Sequence, residues 1–167
     1  MQKKKPNVVV LAGGSSMEAE VSRQSAAQVQ RALQNSGFQV AVVELDKDCA
    51  SRLLKIQPDV VFPALHGPPG EDGTVQGLLE ILEICYVGSD VRGSAMAMDK
   101  AVAKSIFKRQ GLPVIDDYIV AADADLNATA GEIERLLGPN VVIKPLNQGS
   151  ALGVQLLPNG GDITAAL

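Results

Sequence analysis

The amino-acid sequence predicts an α/β protein, with a doubly wound parallel sheet in its first part and the opening of an α+β domain after it. Three observations predict this. The runs 7–12 (NVVVLA) and 60–65 (VVFPAL) are apolar throughout, without the alternation of a sheet that faces water on one side; such strands are covered by helices on both faces. Each run ends at a glycine turn, and helical spacing follows. The 167-residue chain is 46% apolar, which permits one large domain or one and a half smaller ones.

The elements follow in order. Gly13-Gly14 turns the chain out of the first strand, and residues 20–33 show helical spacing through Val21, Ser25, Gln28, Val29 and Ala32-Leu33. Gly37 stops that helix, residues 39–45 form a second strand, and residues 50–56 form a short helix that ends before Pro58. The third strand is 60–65, followed by a helix over 74–82 and a strand over 84–87. The run SAMAMDKAVAKSIFKRQ contains no proline and predicts one strong helix, ended by Gly111-Leu112-Pro113. The pattern then changes to a strand over 117–120, a helix over 127–137, a strand over 141–144, a glycine loop and a strand over 153–157. A domain boundary near Asp99 divides 1–98 from 99–167. The closing GGDITAAL supplies an N-cap at Asp162 and only the first turn of a helix, too little to hold itself together. This ending suggests a fragment, a truncated gene or a chain awaiting a partner.

Composition excludes several function classes. A net charge of −4, 3% aromatic residues and no tryptophan argue against a nucleic-acid groove. No apolar run approaches the ~18 residues of a membrane span, and the apolar stretch of MQKKKPNVVVLAGG is too short for a secretory signal. The tract Lys3-Lys4-Lys5 reads as a solvated terminus. Cys49 and Cys85 form neither a CxxC pair nor a Cys/His metal spacing, which predicts no zinc site and fits a reducing cytoplasm. Cys85, inside ILEICYVG, is expected to be a small core residue.

Chemistry concentrates in three segments. HGPPGEDGTVQGLLE (66–80) sets the only histidine beside a Gly/Pro turn, two acids and a helix start. Such a turn lets backbone approach a small ligand, and the helix offers free N–H groups to an anion. GGSSMEAEVS (13–22) lies at the carboxyl end of the first strand, as His66-Gly67 does at the third; ligands of doubly wound sheets sit at those ends. KPLNQGSALGV (144–154) closes an apolar strand with a lysine and continues into glycines. Neither GxxxxGK[ST] nor GxGxxG occurs, which weakens a generic nucleotide-binding reading.

GGSSMEAEVS, HGPPGEDGTVQGLLE, YVGSDVRGSAMAMDKAVAK and VVIKPLNQGSALGV, in this order and spacing, resemble the front half of the D-alanine–D-alanine ligases. The likeness extends over essentially the whole chain. It implies an ATP-grasp enzyme of peptidoglycan synthesis, here with an N-terminal substrate-binding α/β domain (1–98) and part of the central ATP-grasp domain (99–167). The resemblance implies that the family's remaining part is not among these residues, and the chain alone is expected to be inactive. In that family ATP phosphorylates one D-alanine carboxylate, and the amine of a second D-alanine displaces the phosphate.

The resemblance implies roles for named residues. Glu18 binds the ammonium of the first D-alanine, against the competing reading of a helix-start carboxylate. Val21 walls the same pocket, and Glu20 is structural. His66 serves the first substrate's carboxylate or the tetrahedral oxyanion, while Glu71 and Asp72 hold the turn and cap the next helix. Lys100 and Lys144 contact the ATP phosphates. Gly149, Ser150 and Ala151, with Gly153, form a loop that folds over those phosphates. Ser150 links Glu18 to a tyrosine beyond this chain, and Ala151 stands where the family commonly has a second serine, which removes a phosphate donor. Magnesium is implied, with its ligands outside this chain, and so is a homodimer through the N-terminal domain. Two other readings stay open: a truncated, non-catalytic amino-acid-binding or dimerisation module, and a D-alanine–D-lactate ligase.

Overall fold

The computed structural model describes residues 5–167. Lys3 and Lys4 of the basic tract lie outside the described residues. The chain forms two compact units, Met1–Met98 and Asp99–Leu167.

In the first unit, β1 (Asn7–Ala12), β2 (Gln39–Glu44) and β3 (Val60–Pro63) make a parallel sheet in the order β2-β1-β3. The connections are α1 (Ala19–Asn35) and α2 (Cys49–Ile56), and α3 (Thr74–Ile81) follows β3. The uninterrupted apolar reading of β1 has a direct cause. Val9 and Leu11 pack into a cluster with Cys49 and Leu53 of α2 and Val75 and Leu79 of α3. Val10 and Ala12 pack into a second cluster with Ala26, Val29 and Leu33 of α1. Alternate side chains of one strand thus serve two cores, as period-two geometry requires. Leu11, Leu53 and Leu79 are 0% exposed, and each contributes about 1.5–3 kcal/mol by its burial. Because the chain leaves β1 toward β2 and returns to β3 on the other side, the loops after β1 and β3 open at a topological switch point.

The second unit contains α5 (Lys100–Arg109), α6 (Leu126–Leu137), the antiparallel pair β4 (Val141–Ile143) and β5 (Gln155–Leu157), and the short α7 (Ile163–Ala166). Its core is Ile133, Val141 and Ile163, with Tyr118, Val120, Leu137 and Leu157 against it. Asp162 caps α7 as its side chain accepts from the Ala165 N–H at 2.9 Å.

Four expectations are corrected. The helix expected through 94–110 is two, α4 (Val91–Met98) and α5, because Asp99 takes an extended conformation and accepts from the Ala101 and Val102 N–H groups. An aspartate that caps competes with continuing the helix. The strand expected over 84–87 is a single parallel bridge, Val61 to Tyr86, bounded by the left-handed residues Glu83 and Gly88. Cys85 is exposed rather than core; its neighbours Ile84 and Tyr86 take the inward positions. Residues 117–120 form no strand. Tyr118 and Val120 still point inward by alternation, and the Tyr118 hydroxyl donates to Glu132 at 2.7 Å.

Candidate functional site

In the first unit, serine hydroxyls fasten the loop after β1 to the loop after β3. Ser22 of α1 is fully buried. Its Oγ accepts from the Gly13 N–H at 2.9 Å and donates to the Ala64 carbonyl at 2.6 Å. Ser16 Oγ donates to the His66 carbonyl at 2.7 Å and accepts from the Glu18 N–H at 3.2 Å. Gly13 has φ +73°, and a Cβ there would lie 1.8 Å from Glu44 Oε1 at the end of β2. That carboxylate is held by Arg23 at 2.7 Å, and Arg23 also reaches Glu20 at 3.3 Å.

Glu18 is the N-cap residue of α1, yet its side chain makes no capping bond. Its carboxylate reaches the other loop instead: a Cβ on Gly67 would sit 3.0 Å from Glu18 Oε2. Gly67 has φ +66°, so both its backbone conformation and its neighbour select glycine. His66, just before it, is half-buried, and its Nε2 lies 3.1 Å from Ser25 Oγ on α1. The structure therefore brings Glu18 and His66 to one loop cluster. Val21, on the same helix, is 52% exposed.

The turn after His66 is held from within. The Gly67 N–H donates to Glu71 Oε2 at 2.7 Å, and the Thr74 N–H donates to Asp72 Oδ1 at 2.9 Å. Gln76, buried on α3, donates to the Gly70 carbonyl at 3.0 Å, and its Oε1 has no partner among the described residues. The Pro68–Pro69 peptide is cis.

In the second unit, the loop from β4 to β5 lines a cleft of about 270 Å³ with Lys100, Lys144, Gln148, Gly149, Ser150 and Ala151. Lys144 is exposed just past the end of β4. The Lys100 ammonium donates to the carbonyls of Leu146 at 3.0 Å and Gln148 at 2.6 Å. Ser150 and Ala151 both have left-handed backbones, with φ 50° and 60°, a conformation costing about 1–3 kcal/mol for each non-glycine residue. The Leu152 and Val154 N–H groups close turns onto Gly149 and Ala151.

The sequence gives Ser25 only a place in the helical spacing and assigns Ser16 and Ser22 no role. The signal was present: Ser22 and Ser25 fall on the helix stripe of Ala26, Val29 and Leu33. A hydroxyl on a buried face requires a partner.

Residues 49–89 match the family described as the D-ala D-ala ligase N-terminus. The D-alanine–D-alanine ligase of Ruegeria sp. is 44% identical over 152 residues, 91% of this chain and 48% of that protein. Among solved structures, the D-alanine–D-alanine ligase from Coxiella burnetii has a TM-score of 0.82 at 27% identity, covering 97% of this chain and 59% of that one. The Bacillus anthracis ligase complexed with ATP has a TM-score of 0.76 at 32% identity, covering 91% and 50%. The chain spans about half the length of the curated relatives it matches. By sequence and by fold, it corresponds to the N-terminal region of the D-alanine–D-alanine ligases.

Proposed function

We propose that this chain provides the first amino-acid site and part of the phosphate site of an ATP-dependent ligase that joins two D-alanines for peptidoglycan synthesis. One observation carries the reading. Glu18 stands at a helix start without capping it and turns its carboxylate to the loop of His66. A carboxylate and an imidazole carried to one loop cluster match the two ends of a zwitterionic amino acid.

In the proposed reaction, Glu18 holds the ammonium of the first D-alanine, and His66 donates an N–H to its carboxylate. Val21 borders the pocket. A carboxylate is a poor electrophile, so one of its oxygens attacks the γ-phosphorus of ATP and ADP leaves. The amine of the second D-alanine then attacks the acyl carbon, the C–O bond to phosphate breaks and the amine loses a proton. A donor aimed at the tetrahedral oxygen stabilises that step, and His66 supplies it. The cleft of the second unit, about 270 Å³, is lined by Lys100, Lys144 and the backbone of Gly149, Ser150 and Ala151, a lining that suits phosphates. Lys144 supplies mobile charge there, while Lys100 commits two of its three N–H groups to the loop and keeps one. Gly149, Ser150 and Ala151 present backbone to the phosphates, and Ser150 supplies the hydroxyl of the site.

Among the described residues no group of three or more His, Cys, Asp or Glu side chains could hold a metal ion. These residues do not fit magnesium, and no step here uses it. We place the protein in the cytoplasm, supported by two unpaired cysteines and by the lack, among the described residues, of a helix long and apolar enough to cross a membrane. A homodimer through the first unit is supported by the exposed Ile81 and Val87.

Calorimetry of the chain with D-alanine, and with L-alanine as control, tests the amino-acid site. Binding of the D form, weakened at least tenfold by Glu18→Gln, is expected, about 1.4 kcal/mol or more. Equal binding of both enantiomers, or of neither, overturns the reading. D-alanine-dependent phosphate release by the full-length protein tests ligation.

A further inference from the structure

Among the described residues, the imidazole of His66 is gripped at one nitrogen only. Its Nε2 faces Ser25 Oγ at 3.1 Å, and its backbone carbonyl is fixed by Ser16 at 2.7 Å. Main chain and ring are therefore tied to the same neighbouring segment, residues 16–25, across 41 to 50 positions of sequence. A neutral imidazole has one N–H donor and one acceptor, and the partner of one nitrogen decides the state of the other. A serine hydroxyl can play either part. If it accepted from Nε2–H, Nδ1 would be a lone pair, which repels a carboxylate.

We propose that Ser25 is a positioning residue: its hydroxyl donates to His66 Nε2 and so holds the neutral ring as the Nδ1–H tautomer. The nitrogen left over is then a hydrogen-bond donor without a charge. This rests on the amino-acid-site reading above, and it adds how a neutral histidine can bind a carboxylate there. Free histidine favours the opposite, Nε2–H form, so the assignment requires the protein to invert an intrinsic preference.

His66 is the only histidine, so two-bond proton–nitrogen correlation spectra of the 15N-labelled chain report its tautomer without assignment. The measurement is made without ligand, at a pH where the ring is neutral. The expected result is a pyrrole-like Nδ1 and a pyridine-like Nε2 in the parent chain and in Ser25→Thr, which keeps the hydroxyl. Ser25→Ala is expected to swing the tautomer ratio about tenfold toward Nε2–H, the worth of one hydrogen bond. Alanine is the better helix former, so α1 is retained in this variant. A parent chain that is already Nε2–H, or a ratio indifferent to Ser25→Ala, overturns the assignment. Titration with D-alanine separates the two ideas. An Nδ1–H ring that responds to neither alanine enantiomer overturns the amino-acid site, whereas a D-alanine response with an unchanged ratio in Ser25→Ala overturns the role of Ser25.

Discussion

The loops around His66 and around Ser150 are held in opposite ways. The first is fastened by short-range chemistry from several sides: Ser16 and Ser22 bridge it to the loop after β1, Ser25 meets the ring, and Glu71 and Gln76 hold the turn. The second hangs between two strands of three residues and, among the described residues, takes its side-chain hydrogen bonds from one ammonium, that of Lys100. It also carries two consecutive non-glycine residues in the left-handed region. A site for a small zwitterion gains from a preformed shape, because ordering costs are met on folding rather than on binding. A loop that must fold over a phosphate chain gains from being cheap to move.

The largest expected effect breaks the first loop. Ser22→Ala leaves the Gly13 N–H and the Ala64 carbonyl without their partner in a fully buried place, at about 2–3 kcal/mol. Urea unfolding of the chain reads this as a lower midpoint with an unchanged slope. A loss below about 0.5 kcal/mol, the scale of surface changes, would mean that the serine bridge does not hold the loops. Next, Gly67→Ala forces a side chain at φ +66° against Glu18. It is expected to cost about 1–2 kcal/mol of stability and to weaken D-alanine binding about tenfold, as calorimetry would show.

The second loop is probed by Lys100→Met, which keeps the stem and removes the ammonium. Hydrogen exchange at the Leu152 and Val154 amides is expected to quicken about tenfold, with little change in global stability, since local opening is independent of the global transition. Equal quickening of the loops in both units would erase the contrast. The smallest effect concerns Asp117. Lys104 at 2.9 Å and Lys108 at 3.7 Å hold its carboxyl below the ordinary value of 3.8. A depressed carboxylate stabilises above its unfolded value, and that contribution fades as pH falls from there through the folded value. Asp117→Asn is expected to flatten the acid limb of stability below pH ~4, measured by unfolding at stepped pH.

Much of this was legible in the sequence because it is local. The run NVVVLA, the glycines after it and HGPPGEDG fix strand ends and turns with neighbouring residues alone, and Asn7–Ala12 is the strand expected. What was not legible depends on contacts across the chain. The serines that set His66 lie 41 to 50 residues away, and no spacing rule announces such a pair. The break at Asp99 was a matter of competition: the run around it favours helix, but a single aspartate with two amides in reach won. Residues 84–87 and 117–120 have strand alternation, which survives as inward-facing side chains without a ladder. Periodicity reads which face is buried; it does not count hydrogen bonds.

The chain's two thiols lie in opposite settings. Cys49 is enclosed among Val43, Leu53 and Val75, where burial pushes its thiol up and so starves it of thiolate, while Cys85 meets solvent. Electrophiles that need the anion will accordingly find one cysteine in the native chain and two in the unfolded one, which makes the wild-type protein its own stoichiometric gauge of intactness. A fluorophore at Cys85 would also sit beside the Val61 to Tyr86 bridge, a single pairing at the margin of the sheet.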